Sequence, residues 1–148
     1  MLISAEPYQY YSGLAPAYLG DSCSVEDLRF DLARMCERAG VTFVRDEVTR
    51  IEPRVVQTKS GQRVGYDIAS CNLGSGIPQG MLSSEAGGEP AIFRVKPVSR
   101  LVLLRQSLDA LRGGELAIVG GGPAGVETAA NLAVYSKRRG YSLRIRVF

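Results

Sequence analysis

The segment Glu115 to Glu127, ELAIVGGGPAGVE, constrains the fold more than any other stretch of the chain. Leu116, Ala117, Ile118 and Val119 form a short apolar run suited to a buried strand, and Gly120, Gly122 and Gly125 follow at G-x-G-x-x-G spacing. Each glycine answers a physical need. The first turns the chain tightly, the second lets the backbone approach a pyrophosphate, and the third lets the following helix pack close to the strand. Unpaired N–H groups and the positive end of the helix dipole attract phosphate there. Pro123 falls at the start of the helix, where its missing N–H costs least, and Ala129, Ala130 and Ala133 are expected to keep the inner face small enough to lie against a sheet. From Ser142 to Phe148, Leu143, Ile145 and Val147 alternate with Arg144 and Arg146, so a second strand completes a βαβ unit. Gly120, Gly121, Gly122, Pro123, Ala124 and Gly125 thus outline a dinucleotide cradle; a tight structural turn with no ligand is the alternative. The acidic residue that grips an adenosine ribose would come just past the second strand, after Phe148.

A chain of 148 residues with 45% hydrophobic content is long enough for one domain with a substantial core, and disorder is not expected. The net charge of +3 comes from scattered arginines, with a local excess between Lys137 and Arg146. That excess reads as a solvated helix end and strand face, or else as a phosphate or nucleic-acid patch. With only Tyr135 and Tyr141 interleaved, nucleic acid is not an expected partner. Cys23, Cys36 and Cys71 form no C-x-x-C pair, which supports neither zinc nor dithiol chemistry, and they read as reduced, partly buried thiols. The sequence contains no histidine, which excludes a Ser-His-Asp triad and any His-based metal site. The amino terminus has no basic start, and no apolar run reaches the roughly eighteen residues of a membrane span, so the cytoplasm is the default compartment.

In chain order, Met1 to Ser4 reads as a short strand and Tyr8 to Gly20 as a tyrosine-rich loop, of the kind that lies at a surface or against a planar ligand. Ser24, with Asp27 in capping-box position, begins a helix that presents Leu28, Leu32, Met35, Cys36 and Ala39 on one face and ends at Gly40. Val41 to Val44 is a strand. A meander follows, with Val48 to Ile51, Val55 to Thr58 and Gln62 to Gly65 as its strands and a turn at Ser60 and Gly61. Tyr66 to Leu73 reads as a further strand and Gly76 to Pro90 as a long loop. Ser99 caps a helix with Leu101, Leu104, Leu108 and Leu111 inward and Gly113 past its end. The expected class is α/β, a Rossmann-like parallel sheet with an inserted antiparallel β-meander.

Several blocks, taken in order, resemble one family: the FAD-dependent pyridine nucleotide-disulphide oxidoreductases, particularly the type II NADH dehydrogenase-like flavoproteins. YSGLAPAYLG is similar to the family's loop beside the flavin, matching at Tyr11, Ser12, Gly13 and Pro16 and departing at Leu14, Ala15 and Ala17. EVTRIEP resembles the strand that meets the adenine of FAD, which places Val48 there. YDIASCNLGS looks like the strand and turn that end, here, in Gly74 and Ser75, and GGGPAGVE matches the start of the NAD(P)H domain almost letter for letter. The resemblance implies FAD and NAD(P)H as cofactors, hydride transfer from nicotinamide to flavin, and a quinone or another electron acceptor. It implies that Glu127 orients the nicotinamide; read without it, Glu127 is a first-turn glutamate complementing the helix dipole. Lys96 and Pro97, in FRVKPVSRL, resemble a family stretch that carries no assigned role. The disulphide-reductase branch is disfavoured, because its cysteine pair is absent.

The family's own FAD glycine motif would precede Met1 and its remaining NAD(P)H and flavin-contacting parts would follow Phe148, so the chain resembles an interior segment of an incomplete two-dinucleotide-domain flavoprotein. Residues 1–113 then read as a partial FAD-binding domain and 114–148 as the first βαβ unit of an NAD(P)H-binding domain. Omitting a central strand matters, because a domain of this size has only about 7 to 20 kcal/mol of net stability and each core side chain contributes roughly 1.5 to 3. The Leu116 to Phe148 unit is therefore expected to pack in the vacant place, within the chain or in a partner, and exposed strands invite pairing between chains as a homo-oligomer. The rival readings are a non-catalytic nucleotide-binding or interaction module and an inactive truncated fragment. The resemblance admits a parent that is cytoplasmic or peripheral to the inner membrane.

Overall fold

The computed structural model describes residues 1–74 and 92–148. The chain forms two compact units, one of Met1–Gln9 with Arg29–Leu73 and the other of Tyr10–Leu28 with Gly74–Phe148. Parallel and antiparallel pairing both occur, so the class is the α/β one expected.

In the first unit, β1 (Leu2–Ser4) pairs in parallel with β4 (Phe43–Arg45), with Ile3 opposite Val44. β2 (Tyr8–Tyr10) pairs with β3 (Arg29–Asp31), and the Arg29 guanidinium lies 4.1 Å over the Tyr8 ring. The meander forms as expected: β5 (Val48–Glu52), β6 (Val55–Thr58) and β7 (Arg63–Gly65) are antiparallel neighbours in that order. Its turn is fastened by Asp46, whose Oδ2 accepts the Ser60 hydroxyl at 2.5 Å. The hydroxyls of Ser60 and Thr58 hold the Asp46 carboxyl down to about 2.

Two expectations fail in this region. The single helix from Ser24 to Gly40 is divided: α2 (Val25–Leu28) stops, β3 intervenes, and α3 (Leu32–Arg38) begins afresh. The reason is a second cap. The Asp31 carboxylate accepts the Arg34 N–H at 3.0 Å while β3 takes a strand partner, and the chain passes between the two units at this point. Leu28, Leu32 and Cys36 are buried as expected, but Met35 and Ala39 are exposed. The capping box is present, with Ser24 N–H donating to Asp27 Oδ2 at 2.9 Å and Asp27 N–H to Ser24 Oγ at 3.2 Å. Tyr66–Leu73 is not a strand; it gains no strand partner among the described residues, and Ile68 is 91% and Leu73 83% exposed. The predicted loop over Gly76 to Pro90 lies outside the described residues.

In the second unit the expected tyrosine loop is more ordered than composition suggests. A 3₁₀ turn at Ser12–Leu14 leads into α1 (Ala15–Leu19), with Pro16 in its first turn. Ala15, Tyr18 and Leu19 are buried with Leu28, Leu101, Leu104, Leu108, Leu132 and Tyr135. α4 (Arg100–Leu111) turns Leu101, Leu104 and Leu108 inward. Ser99 makes no side-chain cap, Leu111 is exposed, and the helix ends at Arg112 in the left-handed region, so Gly113 already belongs to β8. β8 (Gly113–Ile118) and β9 (Ser142–Val147) form a parallel pair with Leu116 opposite Ile145. Between them runs α5 (Pro123–Arg139), which closes the predicted βαβ unit. Its buried face is Thr128, Leu132, Tyr135 and Ser136; Ala130 and Ala133 are exposed, because α1 and α4 as well as the narrow sheet set which face is covered. β8 pairs with β9 and β1 with β4 in separate sheets, so among the described residues the expected strand pairing of the βαβ unit with Met1 to Ser4 is not made.

Candidate functional site

The glycine turn is built from its backbone outward. After β8, Gly120 takes φ +120, a value that an L side chain rarely adopts, and its N–H donates to the Phe148 carbonyl at 2.8 Å. Phe148 N–H in turn donates to the Ile118 carbonyl at 2.9 Å, so the parallel ladder extends to the lip of the turn. A Cβ on Gly125 would collide with the Gly120 carbonyl oxygen, which is the close approach of helix to strand that the third glycine permits. A Cβ on Gly120, Gly121 or Gly122 would meet nothing within 4 Å. The outer side of the turn is therefore an open cradle lined by main chain.

Gly122 is the N-cap of α5 and supplies no side chain to satisfy the first N–H groups; Pro123 follows and Ala124 is exposed. The first turn carries no acidic residue, while Lys137, Arg138 and Arg139 occupy the last turn. Charge thus complements the negative end of the dipole and leaves the positive end uncompensated, which suits an anion. The residues present fit a pyrophosphate. Glu127 lies in the second turn, not the first, so it is not the dipole partner that a first-turn glutamate would be. It is exposed, and its backbone carbonyl accepts the Asn131 side-chain amide at 2.9 Å.

The other expected site residues are distributed. Tyr11, Ser12 and Gly13 are exposed on the turn before α1, and the Tyr11 ring folds over Gly13, where a Cβ would lie 2.8 Å from it. Pro16 is half-buried in α1. Val48 belongs to the first unit, where it opens β5 opposite Thr58. Gly74 is exposed, and Ser75 lies outside the described residues. Cys23 is half-buried, Cys36 buried and Cys71 exposed, so the last departs from the expected partly buried thiols. The Lys96–Pro97 peptide bond is cis.

One group of residues escaped the sequence reading. Asp21, Arg105, Asp109, Tyr135 and Arg139 converge beside a hollow of about 550 Å³. Its arginines are paired with Asp21, although the buried Arg105 Nε finds no hydrogen-bond partner among the described residues; hydrogen bonds from Arg139 and Arg105 hold the Asp21 carboxyl below its usual range, and burial with Asp109 beside it pushes the Tyr135 phenol up to about 12. With Asp21 already held by both arginines, the hollow offers an anion less than the bare glycine turn does. The signal available in the sequence was an arginine on the apolar face of α4, between Leu101, Leu104 and Leu108.

Turn, helix and paired strands define the class: an α/β protein that combines a βαβ unit with a glycine turn and an antiparallel meander. No protein-family model and no curated protein sequence matches the chain. Solved structures do. The chain is similar to NADH:rubredoxin oxidoreductase from Clostridium acetobutylicum, with a TM-score of 0.67 and 19% identity over 98% of this chain and 37% of that one. It is similar to the sulfide:quinone oxidoreductase from the hyperthermophilic bacterium Aquifex aeolicus, with a TM-score of 0.56 and 25% identity over 80% of this chain and 28% of that one. The likeness is one of fold, to two oxidoreductases, and the chain spans well under half the length of either. Among the described residues, no helix is long and apolar enough to cross a membrane.

Proposed function

We propose that the chain is a segment of an FAD-dependent NAD(P)H:acceptor oxidoreductase, in which residues 114–148 hold the nicotinamide dinucleotide and residues 1–113 contribute to the flavin side. The observation that carries this is the glycine turn: Gly125 seated against the Gly120 carbonyl, an open cradle at Gly121 and Gly122, and a helix end with no acidic side chain in its first turn. Gly120, Gly121, Gly122, Pro123, Ala124 and Gly125 bind the pyrophosphate through main-chain N–H groups and the helix dipole. Glu127, exposed one turn further on, hydrogen-bonds the carboxamide and orients the ring. Tyr11, Ser12, Gly13, Pro16, Val48, Gly74 and Ser75 are the residues that would hold FAD. When bound, FAD would supply the hydride acceptor and the route for electrons to a quinone or another acceptor. Pairing of chains through the exposed edge of β9 belongs to the same proposal.

The glycine turn lies wholly within the second unit, an observation that also favours a second reading: a module that binds the nucleotide without flavin chemistry. One experiment separates the two. The purified chain is incubated with excess FAD, freed of unbound ligand and examined by visible absorption, then titrated anaerobically with NADH and with NADPH. A retained flavin spectrum that bleaches supports the oxidoreductase segment. Saturable NAD(P)H binding by a colourless protein supports the module, and the absence of both overturns the nucleotide reading.

A further inference from the structure

The glycine turn explains the N-terminal end of α5, whereas its C-terminal end carries a separate construction centred on Asp21. This residue follows α1 and Gly20 in a left-handed conformation, with φ +61. Asp21 Oδ1 accepts from Arg105 Nη2 at 2.7 Å and Arg139 Nη2 at 3.0 Å, and Oδ2 accepts from Arg139 Nε at 2.9 Å. The Arg105 side chain is only 9% exposed. Its guanidinium lies between the rings of Tyr18 and Tyr135, at 4.6 and 4.5 Å, and donates to the Tyr18 carbonyl at 2.6 Å. Arg138 Nη1 donates to the carbonyls of Gly20 and Asp21 at 2.8 and 3.0 Å. On the other side, the Tyr135 and Tyr141 hydroxyls both donate to Asp109 Oδ1. The end of α1, the middle of α4 and the end of α5 are therefore joined through one carboxylate and the arginines around it.

The opposite end of α5 has few holds of its own. Pro123, Ala124, Val126 and Glu127 are exposed, and the buried residues of the helix begin at Thr128. A helix of 17 residues is about 25 Å long and moves as a rod, so whatever grips its C-terminal part sets the position of its first turn. The contact at that turn leaves no slack, because Gly125 already lies against the Gly120 carbonyl. A second strut runs parallel: a Cβ on Gly20 would come within 2.7 Å of Asn131 Oδ1, and Asn131 Nδ2 donates to the Glu127 carbonyl.

We propose that Asp21 is a positioning residue which, through Arg105 and Arg139, sets the axis of α5 and so the placement of its first turn against the Gly120 to Gly122 cradle. Its consequence for ligand binding rests on the nucleotide reading of that cradle; its mechanical content does not. Replacing Asp21 by asparagine leaves Arg105 buried without a counter-charge, and the arginine must leave its place between the tyrosines or draw water in. Either response frees α5 to tilt.

The test is amide hydrogen exchange on the full chain, comparing the parent with Asp21→Asn and with Arg139→Gln, a milder change at a side chain that is 43% exposed. The reporters are Val126, whose N–H donates to the Gly122 carbonyl at 3.1 Å, together with Glu127 and Thr128. Exchange at these amides is expected to rise about tenfold in Asp21→Asn and less in Arg139→Gln, while the amides of Leu116 and Ile145 in the β8–β9 ladder change little. The NADH dissociation constant, read by fluorescence titration, should rise with the Val126 exchange rate. Acceleration confined to residues 18–24 and 136–141, or equal acceleration at Val126, Leu116 and Ile145, would overturn the proposal and leave Asp21 a merely local or global stabiliser. If the parent chain binds no NADH, the nucleotide reading fails, and the exchange pattern alone still decides the role of Asp21.

Discussion

Gly125→Ala is the substitution with the most to say about the dinucleotide cradle. The added Cβ would run into the Gly120 carbonyl oxygen, with the Gly120 carbonyl carbon at 3.0 Å and Ile118 Cγ2 at 3.8 Å. The obstacle is main chain, and Gly120 is pinned by its hydrogen bond to the Phe148 carbonyl, so α5 must retreat from β8. Overpacking costs typically 1–3 kcal/mol, and a backbone obstacle puts this case near the upper end, about 3 kcal/mol. Against a net stability of about 7 to 20 kcal/mol for a chain of this length, the variant stays folded. For a domain of this size the melting temperature then falls by roughly 6 to 12 °C. Gly121→Ala is the matched control, because its Cβ meets nothing within 4 Å and its cost should stay within about 0.5 kcal/mol. The assay pairs urea or thermal unfolding, followed by circular dichroism, with an NADH titration. Gly125→Ala should lose stability and binding together, whereas Gly121→Ala keeps its stability and loses affinity because a methyl group occupies the cradle. The reasoning is refuted if Gly125→Ala melts with the parent, or if Gly121→Ala proves the more destabilising of the two.

Leu132 is fully buried at the centre of the core, so Leu132→Ala should cost about 2 to 5 kcal/mol in denaturant unfolding, and a loss under about 1 kcal/mol would contradict its placement. Asp46 titrates at about 2 in the folded chain against an ordinary 3.8, so the stabilisation it provides is present above pH 3.8 and is lost as the pH falls towards 2. Acid unfolding of the meander should therefore steepen in that window and flatten in Asp46→Asn; an NMR titration of the Asp46 carboxyl with a midpoint near 4 would count against it. Thiol labelling of the native chain should modify Cys71 at once and Cys36 only on unfolding, since the first is exposed and the second buried, and equal rates would show that the helix carrying Cys36 is not packed as described.

The βαβ unit was legible because its signals are local. The glycine spacing, Pro123 at the helix start and the alternation of Leu143 and Ile145 with arginines act over one or two turns of chain, and the structure realises them in β8, α5 and β9. The meander was legible for the same reason, with its turn and alternation contiguous in sequence. Misreadings arose where a distant partner decided the outcome. The pattern from Ser24 to Ala39 is helical by period, yet Arg29–Asp31 pairs with Tyr8–Tyr10 and Asp31 caps a new helix, so tertiary pairing overrode propensity. Tyr66 to Leu73 has the composition of a strand but gains no strand partner among the described residues. Ala130 and Ala133 looked like the inner face of α5 only while a sheet was assumed to be all that the helix packs against.

The Asp21 network marks the limit of local reading most clearly. Asp21 meets Arg105 and Arg139 across 84 and 118 positions, and nothing near Asp21 in sequence distinguishes it from a solvated loop aspartate. Arg105 was the better clue: an arginine flanked on its own helix face by Leu104 and Leu108 must either reach solvent or find a counter-charge inside. It found one, and the counter-charge stands at the far end of the helix that begins at the glycine turn. The proposed recognition at that turn therefore draws on two kinds of information. The cradle is written in contiguous residues from Gly120 to Gly125, whereas the aim of the helix behind it depends on residues that meet only after the chain has folded.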